Sequence, residues 1–226
     1  MRVYSIFNSI SGEVGSIPQG ALTTFVRLSG CNLKCTWCDA AYAQDSFGGT
    51  QMTVNEVMSQ IKEIGCKRVL ITGGEPLIQK GEVEDLVEQL DQFGFMIGLE
   101  TNGSIMVPEE MHYLCFVVMD YKLPSSGCYS PKLQNEVVEE STMYFTDWLK
   151  FVIFSEEDYL VAKERALHWK ERNFHIAFSP MLFSNGIYAD DRLRINRLVQ
   201  RMKEDELYHV VLNLQIHKLA QIEEPK

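Results

Sequence analysis

Hydrophobic positions along the chain switch repeatedly between a period of two and one of about 3.6 residues. Over 22–29 the run Leu-Thr-Thr-Phe-Val-Arg-Leu-Ser is rich in β-branched and aromatic side chains and stops at Gly30, which predicts a strand. Thr53 and Glu56 then make a capping-box pair, and Val54, Val57, Met58, Ile61 and Ile64 follow at helical spacing until Gly65. An apolar strand over 68–72 opens into Gly73-Gly74-Glu75-Pro76, and a stripe at Val83, Leu86, Val87, Leu90 and Phe93 predicts a helix stopped by Gly94. The same alternation predicts strands over 96–100, 115–120, 148–154, 175–179 and 209–214. Between them it predicts helices over 108–113, 134–144, 155–171 and 190–203, the third opened by a Ser155/Asp158 cap. Loops fall at 122–132 and 180–189, and the tail over 223–226 is expected to fray.

Strand and helix alternate about six times, and right-handed crossovers turn such a pattern into a curved parallel sheet with helices outside. The fold class expected is therefore α/β: a partial or modified TIM-like barrel of about six strands. Functional loops would gather at the C-terminal ends of the strands. No repeat, low-complexity run or Pro/Gly/Ser linker divides the chain, so residues 1–226 are expected to form one domain.

Composition narrows the function. A chain of 226 residues that is 46% hydrophobic can bury a full core. Its net charge of -10, from 31 acidic against 21 basic residues, offers no general attraction to nucleic acid or an anionic membrane. No stretch has the length of a membrane helix and no secretory leader is recognisable, so a soluble, cytoplasmic protein is expected. Six cysteines in such a chain read as thiols or metal ligands rather than disulfides.

Three of the six fall in one loop, Cys31-Asn-Leu-Lys-Cys35-Thr-Trp-Cys38. This Cys-x-x-x-Cys-x-x-Cys spacing lets a single loop present three thiolates to an iron–sulfur cluster, leaving one iron open for a ligand. A zinc site, a redox pair on Cys35 and Cys38, or three ordinary thiols are the alternatives. Zinc would want a fourth Cys or His, and no His lies near the loop in sequence.

The loop, with Trp37 before its last cysteine, resembles the cluster motif of the radical S-adenosylmethionine superfamily. Gly73-Gly74-Glu75-Pro76 looks like that superfamily's Gly-Gly-Glu-Pro, in which glycines permit close backbone approach and the carboxylate suits an ammonium. Glu100-Thr-Asn102-Gly103, Asp120-Tyr-Lys122 and Ser179-Pro180 also stand where its members meet the cofactor. The resemblance implies a [4Fe-4S] cluster on Cys31, Cys35 and Cys38. It implies S-adenosylmethionine held at the open iron and cleaved by one electron to a 5′-deoxyadenosyl radical. Cofactor contacts are implied for Trp37, Cys38, Asp39, Gly74, Glu75, Asn102, Asp120, Lys122 and Ser179, and no catalytic residue beyond cluster and cofactor.

The whole chain further resembles one family of that superfamily, the 7-carboxy-7-deazaguanine synthases of queuosine biosynthesis. Phe7-Asn-Ser-Ile10-Ser11-Gly12-Glu13 stands where the family has Leu-Gln-Gly-Glu-Gly, with Ser11 for the Gln and Val14 for the second Gly. Phe25-Val-Arg27-Leu-Ser-Gly-Cys31 matches the strand before the cluster, its arginine suited to clamp a substrate carboxylate. Lys122-Leu-Pro-Ser-Ser-Gly127 and Gln215-Ile-His217-Lys218 look like further family segments. The resemblance implies conversion of 6-carboxy-5,6,7,8-tetrahydropterin to 7-carboxy-7-deazaguanine with loss of ammonia. Ile10, Ser11, Gly12, Glu13, Arg27, Thr72 and His217 would contact the pterin. A donor such as flavodoxin or ferredoxin and a homodimer are also implied. The family's Cys-Asp-Thr, whose hydroxyl ligates Mg²⁺, is Cys38-Asp39-Ala40 here, so the ion would be held by Asp39, substrate and water or be absent. In some members the terminal carboxylate touches substrate; this chain runs on to Lys226, and that contact is not expected. Two rivals are a glycyl-radical-enzyme activase, which resembles the chain in the cysteine loop, the Gly-Gly-Glu and the Asp-x-Lys, and a non-catalytic zinc-binding scaffold.

Overall fold

A computed structural model describes residues 1–141, 143–182, 188–222 and 225. Strand β1 (Arg2–Ile10) pairs antiparallel with β2 (Leu22–Leu28), Ile10 opposite Leu22, and the short β3 (Thr50–Gln51) pairs with the far side of β1. From β2 onward every pairing is parallel, through β4 (Arg68–Gly73), β5 (Met96–Thr101), β6 (Phe116–Tyr121), β7 (Trp148–Ile153), β8 (His175–Pro180) and β9 (Val210–Leu212). The strand order β3-β1-β2-β4-β5-β6-β7-β8-β9 is linear, so the barrel is partial, with β3 and β9 as its edges. The expected parallel α/β sheet is present: its seven parallel strands are those over which the alternation predicts strands, and β1 and β3 add two antiparallel strands at one edge, where about six strands in all were expected. Strand β1 escaped prediction because Ser5, Asn8 and Ser9 interrupt its apolar alternation.

The crossovers carry α1 (Val54–Ile64), α2 (Lys80–Gln92), α3 (Glu109–Leu114), α4 (Pro131–Glu140), α5 (Glu156–His168) and α6 (Tyr188–Glu204), and a single turn, α7 (Ile216–Leu219), follows β9. Both predicted caps form. Glu56 N–H donates to Thr53 Oγ1 at 3.3 Å while Thr53 N–H donates back to Glu56 Oε2 at 2.7 Å. Asp158 and Ser155 exchange the same pair of bonds at the start of α5. Each such cap is worth about 1 kcal/mol. Helix α4 starts at Pro131 rather than at 134 because proline is preorganised for the first helical turn. Helix α7 is too short to leave an apolar stripe, so no periodic signal announced it. Residues 183–187 of the predicted loop and 223, 224 and 226 of the tail lie outside the described residues. No helix among the described residues is long and apolar enough to cross a membrane.

The pleat sorts each strand into two faces. Val26, Leu28, Val69, Ile71, Ile97, Leu99, Val117, Met119, Leu149, Phe151, Ile176 and Phe178 point outward into the core shared with the helices. The alternate positions face inward. At the lower end of that concave face Phe7, Phe25, Leu70, Phe116 and Val118 close over Ile17 as a second apolar cluster. Two residues further along the same strands the chemistry changes, to Arg27, Thr72, Glu100, Asp120, Lys150 and Ser179. The concave face is thus a plugged bowl with a charged rim, set by register: Arg27 sits opposite Thr72, and Asp120 opposite Lys150.

Candidate active site

The cysteine loop leaves the C-terminal end of β2 and is fastened from below by the Gly-Gly-Glu turn. Gly74 N–H donates to Leu28 O at 2.9 Å and Glu75 N–H to Gly30 O at 2.7 Å. A Cβ on Gly74 would lie 1.9 Å from Gly30 O, so only glycine lets the two chains meet. From above, Thr36 N–H donates to Ser126 O at 2.9 Å and Trp37 Nε1 to Ser125 Oγ at 3.3 Å. Ser125 N–H is in turn held by the Asp158 cap of α5.

All six cysteines are free thiols. Cys31 Sγ accepts from Leu33 N–H at 3.4 Å and Asn102 Nδ2 at 3.7 Å, while Cys35 and Cys38 face a cleft shared with Gly74, Asn102, Asp120 and Lys122. Burial pushes the Cys35 thiol up to about 12 and raises Cys31 as well, and a positively charged metal centre is the kind of partner that would bring such thiols to thiolate. Among the described residues no three His, Cys, Asp or Glu side chains converge on a place for one metal ion. An iron–sulfur cluster is wider than a single ion and takes its thiolates spread around it. The donor set fits such a cluster on Cys31, Cys35 and Cys38.

Glu75 is fully buried, and its carboxylate accepts from Asn102 N–H at 2.7 Å, Thr101 Oγ1 at 2.9 Å and Leu77 N–H at 3.0 Å. It therefore welds the end of β4 to that of β5 and lies beneath the cleft wall. Asn102, positioned by that bond, turns its amide to Cys31 Sγ and to Asn32 Oδ1.

Two contiguous cavities fill the rim. The smaller, of about 150 Å³, adjoins the cysteines and is lined by Trp37, Cys38, Asp39, Gly74, Asn102, Asp120 and Lys122 among the expected cofactor residues. The larger, of about 690 Å³, is lined by Gly12, Glu13, Arg27, Thr72 and His217 among the expected substrate residues. Glu13, Asp39, Thr72, Glu100 and Lys218 belong to both. Ile10 and Ser11 stand off the cavities; Ser11 spends its backbone on the turn, its N–H donating to Ala21 O and its carbonyl accepting from Gly20 N–H. Ser179 also stands off them, its Oγ accepting from Asn213 Nδ2 at 3.1 Å.

The charged rim is internally paired. Lys150 bonds Glu13 Oε2 and lies 3.5 Å from Asp120 Oδ2, whose other oxygen lies 3.2 Å from Lys122 Nζ. Gln215 Nε2 and Asn213 Nδ2 complete the shell of Glu13 at 2.7 and 3.3 Å. Burial alone would raise Glu13, but the Lys150 ammonium outweighs it and holds the carboxyl at about 2. Burial likewise opposes the charge of Lys150, yet Glu13 and Asp120 keep it above the usual lysine range. Glu100, which accepts from Thr72 Oγ1 at 2.7 Å, is raised to about 7 by burial and then by the negative charge of Glu13. Arg27 stacks over Phe7 and Tyr42 at 4.8 and 5.4 Å and donates from Nη1 to Pro225 O at 2.9 Å, so the C-terminal segment does reach this wall.

The sequence motifs offer no signal for Lys150 or Asn213 as site residues, and they mark Glu100, Gln215 and Lys218 only as members of family-like segments, without a role of their own. The inward parity of Arg27, Thr72 and Asp120 was the available signal for Lys150 and Glu100. The ion-pair and hydrogen-bond partners of the C-terminal three are not local: Asn213, Gln215 and Lys218 reach Glu13 and Asp39 from the far end of the chain.

Residues 25–121 match the family model of the radical SAM superfamily. A 7-carboxy-7-deazaguanine synthase of Clostridium acetobutylicum is 34% identical over 224 residues, covering 96% of this chain and 95% of that protein. One from Methanospirillum hungatei is 36% identical across 86% of this chain and 76% of its own length. Among solved structures, QueE from Escherichia coli superposes with a TM-score of 0.68 at 22% identity, covering 95% of this chain and 93% of that one, a likeness of fold. With cysteine loop, Gly-Gly-Glu turn and charged rim all on one strand edge, and with relatives alike from end to end, the chain belongs to the 7-carboxy-7-deazaguanine synthases of the radical S-adenosylmethionine superfamily.

Proposed function

We propose that this chain converts 6-carboxy-5,6,7,8-tetrahydropterin to 7-carboxy-7-deazaguanine and ammonia, as one catalytic unit over 1–226. The observation that carries the reading is the end-to-end likeness to the Clostridium acetobutylicum synthase. A cavity of about 690 Å³, of the size that small ligands need, supports it by opening onto the cysteine loop. When bound, the cluster and S-adenosylmethionine supply the electron and the hydrogen-abstracting radical. The protein's part is orientation. Arg27, rigid between two rings, offers a guanidinium fork to the substrate carboxylate. Phe25, Leu70 and Tyr42 give the bicyclic ring an apolar wall, and Thr72 and Glu100 offer it polar edges. Cys31, Cys35 and Cys38 hold the cluster, and Asn102, Asp120 and Lys122 frame the space above it. Flavodoxin or ferredoxin is the donor class, a homodimer the assembly and the cytoplasm the location that fit this chemistry. Mg²⁺ is the poorly matched element, since Ala40 brings no side-chain oxygen.

The test is anaerobic reconstitution with iron and sulfide, followed by substrate, cofactor and a chemical reductant. Formation of 7-carboxy-7-deazaguanine with equimolar ammonia is expected. No product, with a glycyl radical raised on a partner protein or with colourless zinc-loaded protein, overturns the proposal.

Glu100 gives a pH prediction. With its folded value at about 7 against an ordinary 4.5, the unliganded site holds a neutral acid below that pH. If substrate needs the carboxylate as acceptor, kcat/KM falls as pH drops through about 7, and Glu100→Gln flattens that limb while lowering the plateau ~10-fold or more. The stability sign is opposite. Between about 4.5 and 7 the folded chain keeps a proton the unfolded chain has lost, so this group's contribution declines as pH rises. A thermal-melt series against pH checks the second half.

A further inference from the structure

The metal position expected beside Asp39 is filled by the protein itself. Lys218 Nζ lies 2.6 Å from Asp39 Oδ2 and donates to Gln215 Oε1 at 2.8 Å. Its side chain is only 8% exposed, against 54% for Asp39, so the ammonium is the inner member of the pair. The next residue, Ala40, offers a methyl group to the larger cavity, and its carbonyl already accepts from Ala43 N–H at 2.9 Å. Mg²⁺ demands near-octahedral oxygen at about 2.0–2.1 Å and keeps its waters tightly. Here Asp39 is taken by a cation that would repel a divalent ion, and the other two carboxylates lining both cavities are engaged as well, Glu13 by Lys150 and Glu100 by the Thr72 hydroxyl.

Lys218 is fixed by the backbone around it. Ile216 N–H donates to Gly12 O at 3.0 Å, and Gln215 Nε2 donates to Glu13 Oε1 at 2.7 Å, so α7 is clamped onto the turn after β1. Gly12 has no room for a side chain there, because a Cβ would meet His217 Nδ1 at 1.9 Å. An ammonium has three donors, and two are spent on Asp39 and Gln215. Lys218 lines both cavities, at the junction where substrate and cofactor would meet.

Resting on the function proposed above, we propose that Lys218 is a built-in cation that takes the place of the divalent ion, and that this enzyme orients its substrate without Mg²⁺. Its remaining N–H would bind an oxygen or ring acceptor of the substrate, which makes it a positioning residue for the substrate rather than a participant in bond breaking.

The test uses reconstituted holoenzyme in metal-stripped buffer. Turnover with chelator and with excess Mg²⁺ is expected to agree within about twofold, and Mn²⁺ titrated with S-adenosylmethionine and substrate present is expected to keep the electron-spin resonance signal of the free aquo ion. Lys218→Met is expected to raise KM for substrate ~10- to 100-fold, more than it lowers kcat, as loss of a charged hydrogen bond does. Adding Ala40→Thr to Lys218→Met is expected to create Mg²⁺ stimulation and Mn²⁺ binding that the wild type lacks. Several-fold stimulation of the wild type by Mg²⁺, or Mn²⁺ bound to it with the lysine in place, overturns the inference. If no product forms in either buffer, the proposed function fails instead. The Mn²⁺ titration still decides the metal question, since it reads binding and not turnover.

Discussion

Replacing Cys35 with alanine is expected to yield a folded but colourless protein that neither retains iron after reconstitution nor cleaves S-adenosylmethionine. Turnover should fall by at least about three orders of magnitude, some 4 kcal/mol of barrier. The physical case rests on how little else the Cys35 side chain does: it faces the smaller cavity beside the Cys128 thiol, while its backbone bond from Cys38 N–H is one that alanine keeps. The bonds that fasten the loop belong to Gly30, Cys31, Thr36 and Trp37 through their neighbours. Circular dichroism and the melting temperature should therefore match wild type while iron content and visible absorbance collapse. Cys66→Ala serves as the contrast, because its thiol donates to Leu22 O at the far end of the strands and should leave the colour intact. Iron retained with cofactor cleavage in Cys35→Ala would refute the ligand assignment.

Lys150→Met carries the largest expected effect on folding. Removing the ammonium strands Glu13 among the neutral amides of Gln215 and Asn213 and leaves Asp120 with Lys122 alone, and breaking a buried pair this way costs about 3–5 kcal/mol. At roughly 2–4 °C per kcal/mol for a chain of this size, the melting temperature should drop by about 6–20 °C. Pairing the change with Glu13→Gln removes one stranded carboxylate and should recover most of that loss without recovering turnover, since the rim no longer presents its charges. The pH dependence follows the same sign. Glu13 sits at about 2 in the folded chain against an ordinary 4.5, so its contribution is present above 4.5 and is lost as pH falls toward 2. The double variant should lack that acid limb. An unchanged melting temperature in Lys150→Met would show that the pair is not structural.

The parts of this site legible in the sequence are those written in one stretch of chain. Cys31, Cys35 and Cys38 declare themselves by spacing, and Gly74 and Glu75 by a turn that glycine alone permits. The alternating sheet was equally readable, because Val26, Ile71, Leu99 and Met119 each repeat one outward parity against the helices. Lys150 was not, for its neighbours Trp148, Leu149, Phe151 and Val152 make the segment look like an apolar core strand. Its meaning depends on the register that sets it opposite Asp120 and on Glu13, 137 residues away. Glu75 reads in the sequence as an acceptor for an ammonium, and what the sequence does not show is that its carboxylate also accepts from Thr101 Oγ1 and Asn102 N–H at the end of β5 and from Leu77 N–H in its own turn. Pattern within a window carries local geometry; it cannot say which distant donor completes a buried acid.

The two-faced pleat also separates what this scaffold can afford to vary. Outward residues are locked by packing against six helices, while the inward upper layer of Arg27, Thr72, Glu100, Asp120 and Lys150 touches cavity and its own charge partners. A diversified library confined to that layer should therefore return folded members, but only where an acid and its cation change together. Substrate range in such a protein would evolve by compensated couples, and single steps across it would pass through unstable intermediates.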